Sequence, residues 1–324
     1  MPFRLIERMK YNRKIRETDI EQDPIFIIGH WRTRTTLLHS MLTKDENFGY
    51  ITNLETYCPH FFLSFEKLTR RIIDFALPKT RPMDNVKLSS FETAEEEFAI
   101  GSYDKYSFYH HFIFPRNFEL YSKYLFFDEC TQEEIQRWKT RYQFFLKKIT
   151  LKHNGKRLVL KNPANTPRVK YLLEMFPDAK FIHTYRNPYF VFSSTLKLFR
   201  NLLPVFSLQK WDDKQIQDGF LRNFKKMYEI FERDKKLIPK GNLLDVKYED
   251  LIIDPLKASK QTYKELLSDN YELPKEKFEQ YTKQQSSFVP NQYVLSDDII
   301  TKVNDYWDQM RRDYGYERME VEPS

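Results

Sequence analysis

The chain has 324 residues, long for one average domain but within the range of a single α/β domain with insertions, so one core is expected. Its 53 basic and 46 acidic residues leave a net charge of +7, a mild excess spread along the sequence that favours anionic ligands and marks no nucleic-acid surface. The two cysteines, Cys58 and Cys130, lie far apart and outside any C-x-x-C pattern, which argues against a disulfide framework or a zinc site and for a reducing compartment.

Residues 1–22 are rich in Arg, Lys and Glu and lack the continuous apolar stretch of a signal peptide, and no window approaches the length of a transmembrane helix. A soluble, cytoplasmic protein is expected. No repeat, low-complexity tract or Pro/Gly/Ser linker divides the chain, so residues 1–324 read as one domain. The first strong element is the apolar run Ile25-Phe26-Ile27-Ile28-Gly29, followed by a polar turn, His30-Trp31-Arg32-Thr33-Arg34, and a helical pattern from Thr35. Strand, tight turn and helix start in that order make an anion site, because loop amides and the helix N-terminus converge on one place.

Gly29 to Thr36 fits the Walker loop G-x-x-x-x-G-K-[ST] in length only: Arg34 stands where the second glycine belongs and Thr35 where the lysine belongs. A nucleotide triphosphatase needs that lysine on its outer phosphates. Here the cation comes earlier, at Arg32, with Thr33, Thr35 and Thr36 supplying hydroxyls. The stretch resembles the 5′-phosphosulfate loop of sulfotransferases, particularly the bacterial branch with a G-x-x-R-S-G-T-T-L-L pattern.

Leu37, Leu38, Met41 and Leu42 share one helical face, which the charged run from Lys44 ends. Next, Gly49 to Thr56 reads as a strand with Glu55 near its carboxyl end, the edge where α/β sheets bind ligands. On its residues alone Glu55 reads equally as a solvated loop carboxylate. An insertion at about 60–130 carries aromatic clusters around the acidic run Glu95-Glu96-Glu97. Those aromatics read as core, with an apolar acceptor pocket as the alternative. His110-His111 would point to opposite sides of a strand, and no further ligands accompany them, so no metal is expected.

Thr131 and Glu134 form a capping box for a long amphipathic helix through Lys152. A buried strand, Arg157 to Leu160, then delivers Lys161 to the ligand edge. A helix from Thr166-Pro167 follows, and then the strand from Ala179 to Tyr185, closed by Arg186-Asn187-Pro188. A Walker-B strand would end in Asp for magnesium, whereas this one ends in arginine. Ser194 lies eight residues beyond Arg186, so strand end and helix start can jointly hold a second phosphate. Further helices are marked by Ile216 to Phe231, by Asp254-Pro255, and by Ser296 to Tyr314 with Gly315 as the stop. The polar stretch 283–293 reads as a surface loop, with closure over the cofactor as the alternative.

The ordered motifs, from Pro24 to Leu38, through Leu160-Lys161-Asn162-Pro163 and Arg186-Asn187-Pro188-Tyr189 with Ser194, to Tyr248-Glu249-Asp250-Leu251, resemble the PAPS-dependent sulfotransferases. PAPS is 3′-phosphoadenosine 5′-phosphosulfate. The resemblance implies a P-loop-type parallel sheet flanked by helices and transfer of a sulfuryl group from PAPS to a hydroxyl or amine acceptor, without a metal. It implies that Arg32 and the loop Thr33, Arg34, Thr35, Thr36 and Leu37 hold the 5′-phosphosulfate, and that Arg186 and Ser194 hold the 3′-phosphate. Lys161 then stands near the transferring group and Tyr248 close to the cofactor. Small-molecule sulfotransferases carry a histidine two residues after the motif lysine, where this chain has Pro163. The Glu55-Thr56 pair is similar to the one tyrosylprotein sulfotransferases use, which makes Glu55 the expected base. The expected acceptor is a small-molecule, lipid or carbohydrate hydroxyl. The competing readings are a P-loop kinase, which explains only the first anion site, and a non-catalytic nucleotide-binding scaffold whose Arg34 signals a degenerated loop.

Overall fold

The apolar run after Pro24 becomes the centre of the fold. The computed structural model describes residues 2–78, 80, 88–267, 271–285 and 295–321. Its five-stranded sheet is built from β1 (Ile25–Gly29), β2 (Phe48–Gly49), β3 (Arg157–Lys161), β4 (Lys180–Tyr185) and β5 (Leu243–Lys247) in the order β2-β3-β1-β4-β5. Every pairing is parallel, with Ile27 level with both Lys161 and Ile182. The chain fills one side of β1 with β2 and β3 before crossing to lay down β4 and β5. That reversal opens a crevice at the carboxyl ends of β3, β1 and β4, where such sheets bind ligands.

Alternation along the strands explains the layers. Phe26, Ile28, Leu158 and Leu160 face one core, while Ile25, Ile27, Val159 and Ile182 face the other. Being buried on both sides, these strands read as continuous apolar runs, as parallel strands do. The first face is covered by α7 (Gln132–Lys152), through Trp138, Tyr142, Phe145 and Ile149, and by α8 (Val169–Met175). The second is covered by α2 (Thr35–Leu42), α12 (Pro255–Gln261) and α13 (Lys275–Gln285). A third cluster joins α6 (Phe118–Phe126), α9 (Pro188–Phe206), α10 (Asp213–Asp234) and α14 (Asp297–Asp313), with Trp307 at its centre. Each large side chain buried there contributes about 1.5–3 kcal/mol. The Thr131–Glu134 capping box, the Asp254 cap with Pro255 in the first turn, and Gly315 at φ 70° after α14 stand where the sequence places them.

Three expectations need correction. The strand expected over 49–56 ends at Gly49, and α3 (Asn53–Tyr57) follows, because Thr52 and Glu55 form a second capping box that starts a helix. His110 and His111 lie in a 3₁₀ turn, Phe108–Phe112, rather than a strand. The helix expected from Thr166 begins at Val169, after a 3₁₀ segment containing Pro167. The insertion contributes α4 (Phe62–Ala76), α5 (Glu96–Tyr103) and α6, while α1 (Pro2–Glu17) packs on α4 and α7 and α11 (Tyr248–Ile253) follows β5. Within the stretch 283–293, the positions from 286 onward lie outside the described residues.

Candidate active site at the carboxyl edge of the sheet

β1 hands over to the loop at Gly29, whose φ is 127° and where an added Cβ would fall 2.2 Å from the Thr184 carbonyl oxygen. Only glycine fits so close a crossing. His30 follows, buried among Phe220 and Phe224, and burial lowers its pKa to about 3, so it is neutral. Thr33 fastens the loop from within: its Oγ1 donates to the His30 carbonyl at 2.7 Å and lies 2.7 Å from Thr184 Oγ1.

Arg32 and Arg34 both adopt left-handed backbone, at φ 74° and 73°. Such residues turn successive amides toward one concave point, the geometry of an anion nest. Arg34 is also the N-cap of α2, so the amides of Thr35 and Thr36 open the first helical turn, where amides lack partners within the helix, while the Leu37 amide already donates to the Arg34 carbonyl at 3.1 Å. Loop and helix start therefore present backbone donors and a positive dipole end at one place.

Around that point the structure brings together residues far apart in sequence. Arg32 Nε donates to Ser194 Oγ at 2.8 Å, and an Arg186 terminal nitrogen donates to the Arg32 carbonyl at 3.0 Å. The Arg186 guanidinium lies over the Tyr248 ring, 4.0 Å from its centroid. Four residues singled out from the sequence thus meet in one contact chain spanning the loop, the end of β4, α9 and α11. Asn187 caps α9 by accepting from the Tyr189 amide at 3.1 Å, which sets Ser194 on the second turn facing Arg32.

Lys161 closes β3 and is buried, with its ammonium paired to Glu95. Glu95 also accepts from the Tyr109 hydroxyl, and Trp31 Nε1 donates to that hydroxyl at 3.0 Å. Burial and the Glu95 carboxylate together push the Tyr109 phenol far above its usual range, so it stays protonated. Trp31, Tyr109, Glu95 and Lys161 form a bridge from the anion loop to the strand end. In the sequence the acidic run Glu95-Glu96-Glu97 carries no assigned role, because nothing local shows what its carboxylates face. The missing signal is that each carboxylate has its own distant partner: Lys161 for Glu95, Tyr142 and Asn165 for Glu96, and Arg168 for Glu97.

Glu55 sits differently. One of its oxygens accepts from both the Thr52 amide and the Thr52 hydroxyl at 2.6 Å, and the other pairs with Lys152 at the end of α7. Its side chain is 1% exposed, against 15% for Glu95. Beside the loop, His30, Trp31, Phe108, Phe112, Phe199 and Phe224 line an apolar pocket. His111 Nε2 and Thr195 Oγ1 border it, with no hydrogen-bond partner among the described residues.

A parallel sheet carrying this loop at its switch point is a P-loop-like α/β protein. Residues 24–266 match the sequence model of the sulfotransferase family. The chain is 32% identical over 320 residues, 99% of its length and 82% of the relative's, to the omega-hydroxy-beta-dihydromenaquinone-9 sulfotransferase Stf3 of Mycobacterium bovis and, with the same figures, to that of Mycobacterium tuberculosis. Among solved structures it is similar to the sulfotransferase STF1 of Mycobacterium tuberculosis, with a TM-score of 0.70, 19% identity and coverage of 94% of this chain and 81% of that one. It is likewise similar to STF9 of Mycobacterium avium, with a TM-score of 0.72, 16% identity and coverage of 97% and 82%. The chain belongs to the sulfotransferase family and is a sulfuryl-transferring enzyme.

Proposed function

We propose that the donor is PAPS and that the acceptor is a hydroxyl carried on an apolar, lipid-like molecule. The observation that carries the donor assignment is the contact of Arg32 with both Ser194 and Arg186. It makes the loop and the end of β4 one continuous anion site, suited to a ligand with a 5′-phosphosulfate and a second phosphate. The left-handed loop and the start of α2 fit the first group, Arg186 and Ser194 fit the second, and Tyr248 lies under Arg186. The acceptor assignment rests on the mycobacterial relatives, omega-hydroxy-beta-dihydromenaquinone-9 sulfotransferases that match this chain over nearly its whole length.

PAPS would supply the sulfuryl group, and this chain's residues would do the rest. The acceptor oxygen bonds to sulfur as the bond from sulfur to the 5′-phosphate oxygen breaks, and a carboxylate takes the hydroxyl proton. Glu95 is favoured over Glu55 for that task, because it is the more accessible of the two and stands beside Lys161. Arg32 and Lys161 balance charge on the sulfuryl oxygens and the departing phosphate. Glu55 keeps a supporting part, holding α3 to α7 through Lys152.

Calorimetric titration with PAP, the desulfated donor, against ATP with magnesium tests the donor. PAP is expected to bind and magnesium-ATP to bind weakly. Preference for magnesium-ATP would point to a kinase, and binding of neither to a scaffold.

A further inference from the structure

Helix α4 bends at Phe65, and from there Leu68, Ile72 and Phe75 recur at helical spacing along one edge. Phe3 of α1 packs against the Phe65 ring, with centroids 4.7 Å apart, and beyond it the edge is half to almost fully exposed. Leu68, Ile72 and Phe75 are 50%, 58% and 94% exposed, so the Phe75 ring stands almost wholly in solvent. On α1, Leu5 and Met9, one turn apart, are exposed as well. Single exposed apolar residues are ordinary, but a line of them on two packed helices marks an interaction surface.

The charge beside this line is predominantly basic: on α4 itself Asp74 is exposed and accepts from Ser90, and Glu66 is paired with Arg70 and Lys152. α1 holds six basic residues and two acidic ones, Glu7 and Glu17. Glu7 is buried against Lys148 and Glu17 is paired with Arg13, while Arg4, Arg8 and Lys10 are exposed. Lys67 and Arg71 are exposed on α4 next to Leu68 and Ile72. Protruding apolar side chains interleaved with cations are what an interfacial helix offers to acidic lipid headgroups.

We propose that the α1–α4 face docks on an anionic lipid bilayer, with Leu68, Ile72 and Phe75 inserted at the headgroup boundary and the flanking cations on the phosphates. The charge selects this occupant. A second copy of the chain would bring two basic faces together, and an acidic soluble partner leaves the protruding Phe75 without a place. The inference does not depend on which acceptor the enzyme sulfates.

The test is co-sedimentation of the full-length protein with vesicles of phosphatidylcholine, with and without phosphatidylglycerol. Binding is expected only with the anionic lipid and is expected to fall as salt rises. Joint replacement Ile72→Asp and Phe75→Asp, and separately Arg8→Glu and Arg71→Glu, should each weaken it roughly tenfold. An unchanged melting temperature and unchanged PAP binding would show that both variants fold. Absence of binding to anionic vesicles, or binding indifferent to both pairs of substitutions, would overturn the proposal. So would a dimer in sedimentation velocity that Phe75→Asp dissolves, since the face would then be a self-interface.

Discussion

Arg168 and Glu97 form a two-pronged ion pair with no solvent exposure on either side chain; the guanidinium nitrogens lie 2.6 and 3.3 Å from the two carboxylate oxygens. The pair joins α5, from the insertion, to the 3₁₀ segment after β3, and Glu97 also accepts from Ser107 at 2.8 Å. Burial pushes the Glu97 carboxyl up, but Arg168 and these hydrogen bonds outweigh it and hold the pKa below the ordinary value. Removing one member leaves the other charged and buried, which costs about 3–5 kcal/mol. Glu97→Ala is expected to lose stability of that order in urea unfolding. A loss below about 1 kcal/mol would place solvent at the pair.

Arg186→Ala should weaken PAP binding by about 1.5–3 kcal/mol, the range for a hydrogen bond to a charged group. The effect should nearly vanish with adenosine 5′-phosphosulfate, which lacks the 3′-phosphate. Equal losses for both ligands in calorimetry would remove Arg186 from that role.

Glu95→Gln and Glu55→Gln separate chemistry from support. The first should lower turnover by about 10²–10⁴-fold with PAP affinity nearly intact, as expected when a general base is lost. The second should act mainly on melting temperature, because the amide weakens the pair with Lys152. If Glu55→Gln abolishes turnover in a folded protein while Glu95→Gln does not, the two roles are exchanged.

Arg34 holds a left-handed backbone that glycine adopts freely, and such strain in a non-glycine residue costs on the order of 1–3 kcal/mol. Glycine also gives the unfolded chain more freedom, which offsets part of the gain. Arg34→Gly should therefore leave the free protein equally or more stable. PAP binding should become less sensitive to salt where the arginine touches the anion. Melting temperature and affinity at two ionic strengths check both; clear destabilisation by glycine would assign Arg34 a structural side-chain role.

Glu96 brings a pH dependence of known sign. Burial raises its pKa from 4.5 to about 7, and Glu97 and Glu95 add to this, while a 2.7 Å hydrogen bond from Tyr142 opposes it. A raised folded-state pKa means the neutral acid is favoured. The stabilisation is complete below about 4.5 and disappears as pH rises through about 7. The swing is roughly 3 kcal/mol. Glu96→Gln should flatten the stability profile between those values and be more stable than the parent above them. A parallel profile for both proteins would locate the titration elsewhere.

The anion loop, β3, β4 and the helices α7, α10 and α14 were legible because their signals are local: apolar runs, capping boxes, and a Pro or Gly at the boundary. The grouping of Arg32 with Arg186, Ser194 and Tyr248 was legible because each sits at a strand end or helix start, which a parallel sheet gathers at one edge. Glu95 was not, because its place depends on Lys161, Tyr109 and the course of the insertion. The strand expected through Glu55 failed because its apolar pattern was short and Thr52 with Glu55 starts a helix instead.

β1 pairs on both edges with strands that come much later, Ile25 with Val159 on one side and Lys180 on the other. During synthesis this apolar strand therefore leaves the ribosome with two open edges, ready to pair with any exposed backbone. At about 5–20 residues per second its first partner follows on the order of ten seconds later. Nascent chains halted before Arg157 are expected to engage chaperones or aggregate, and chains extended past Tyr185 to become resistant to protease. The central position that gathers the ligand site also makes β1 the segment most exposed to misassembly while the protein is being made.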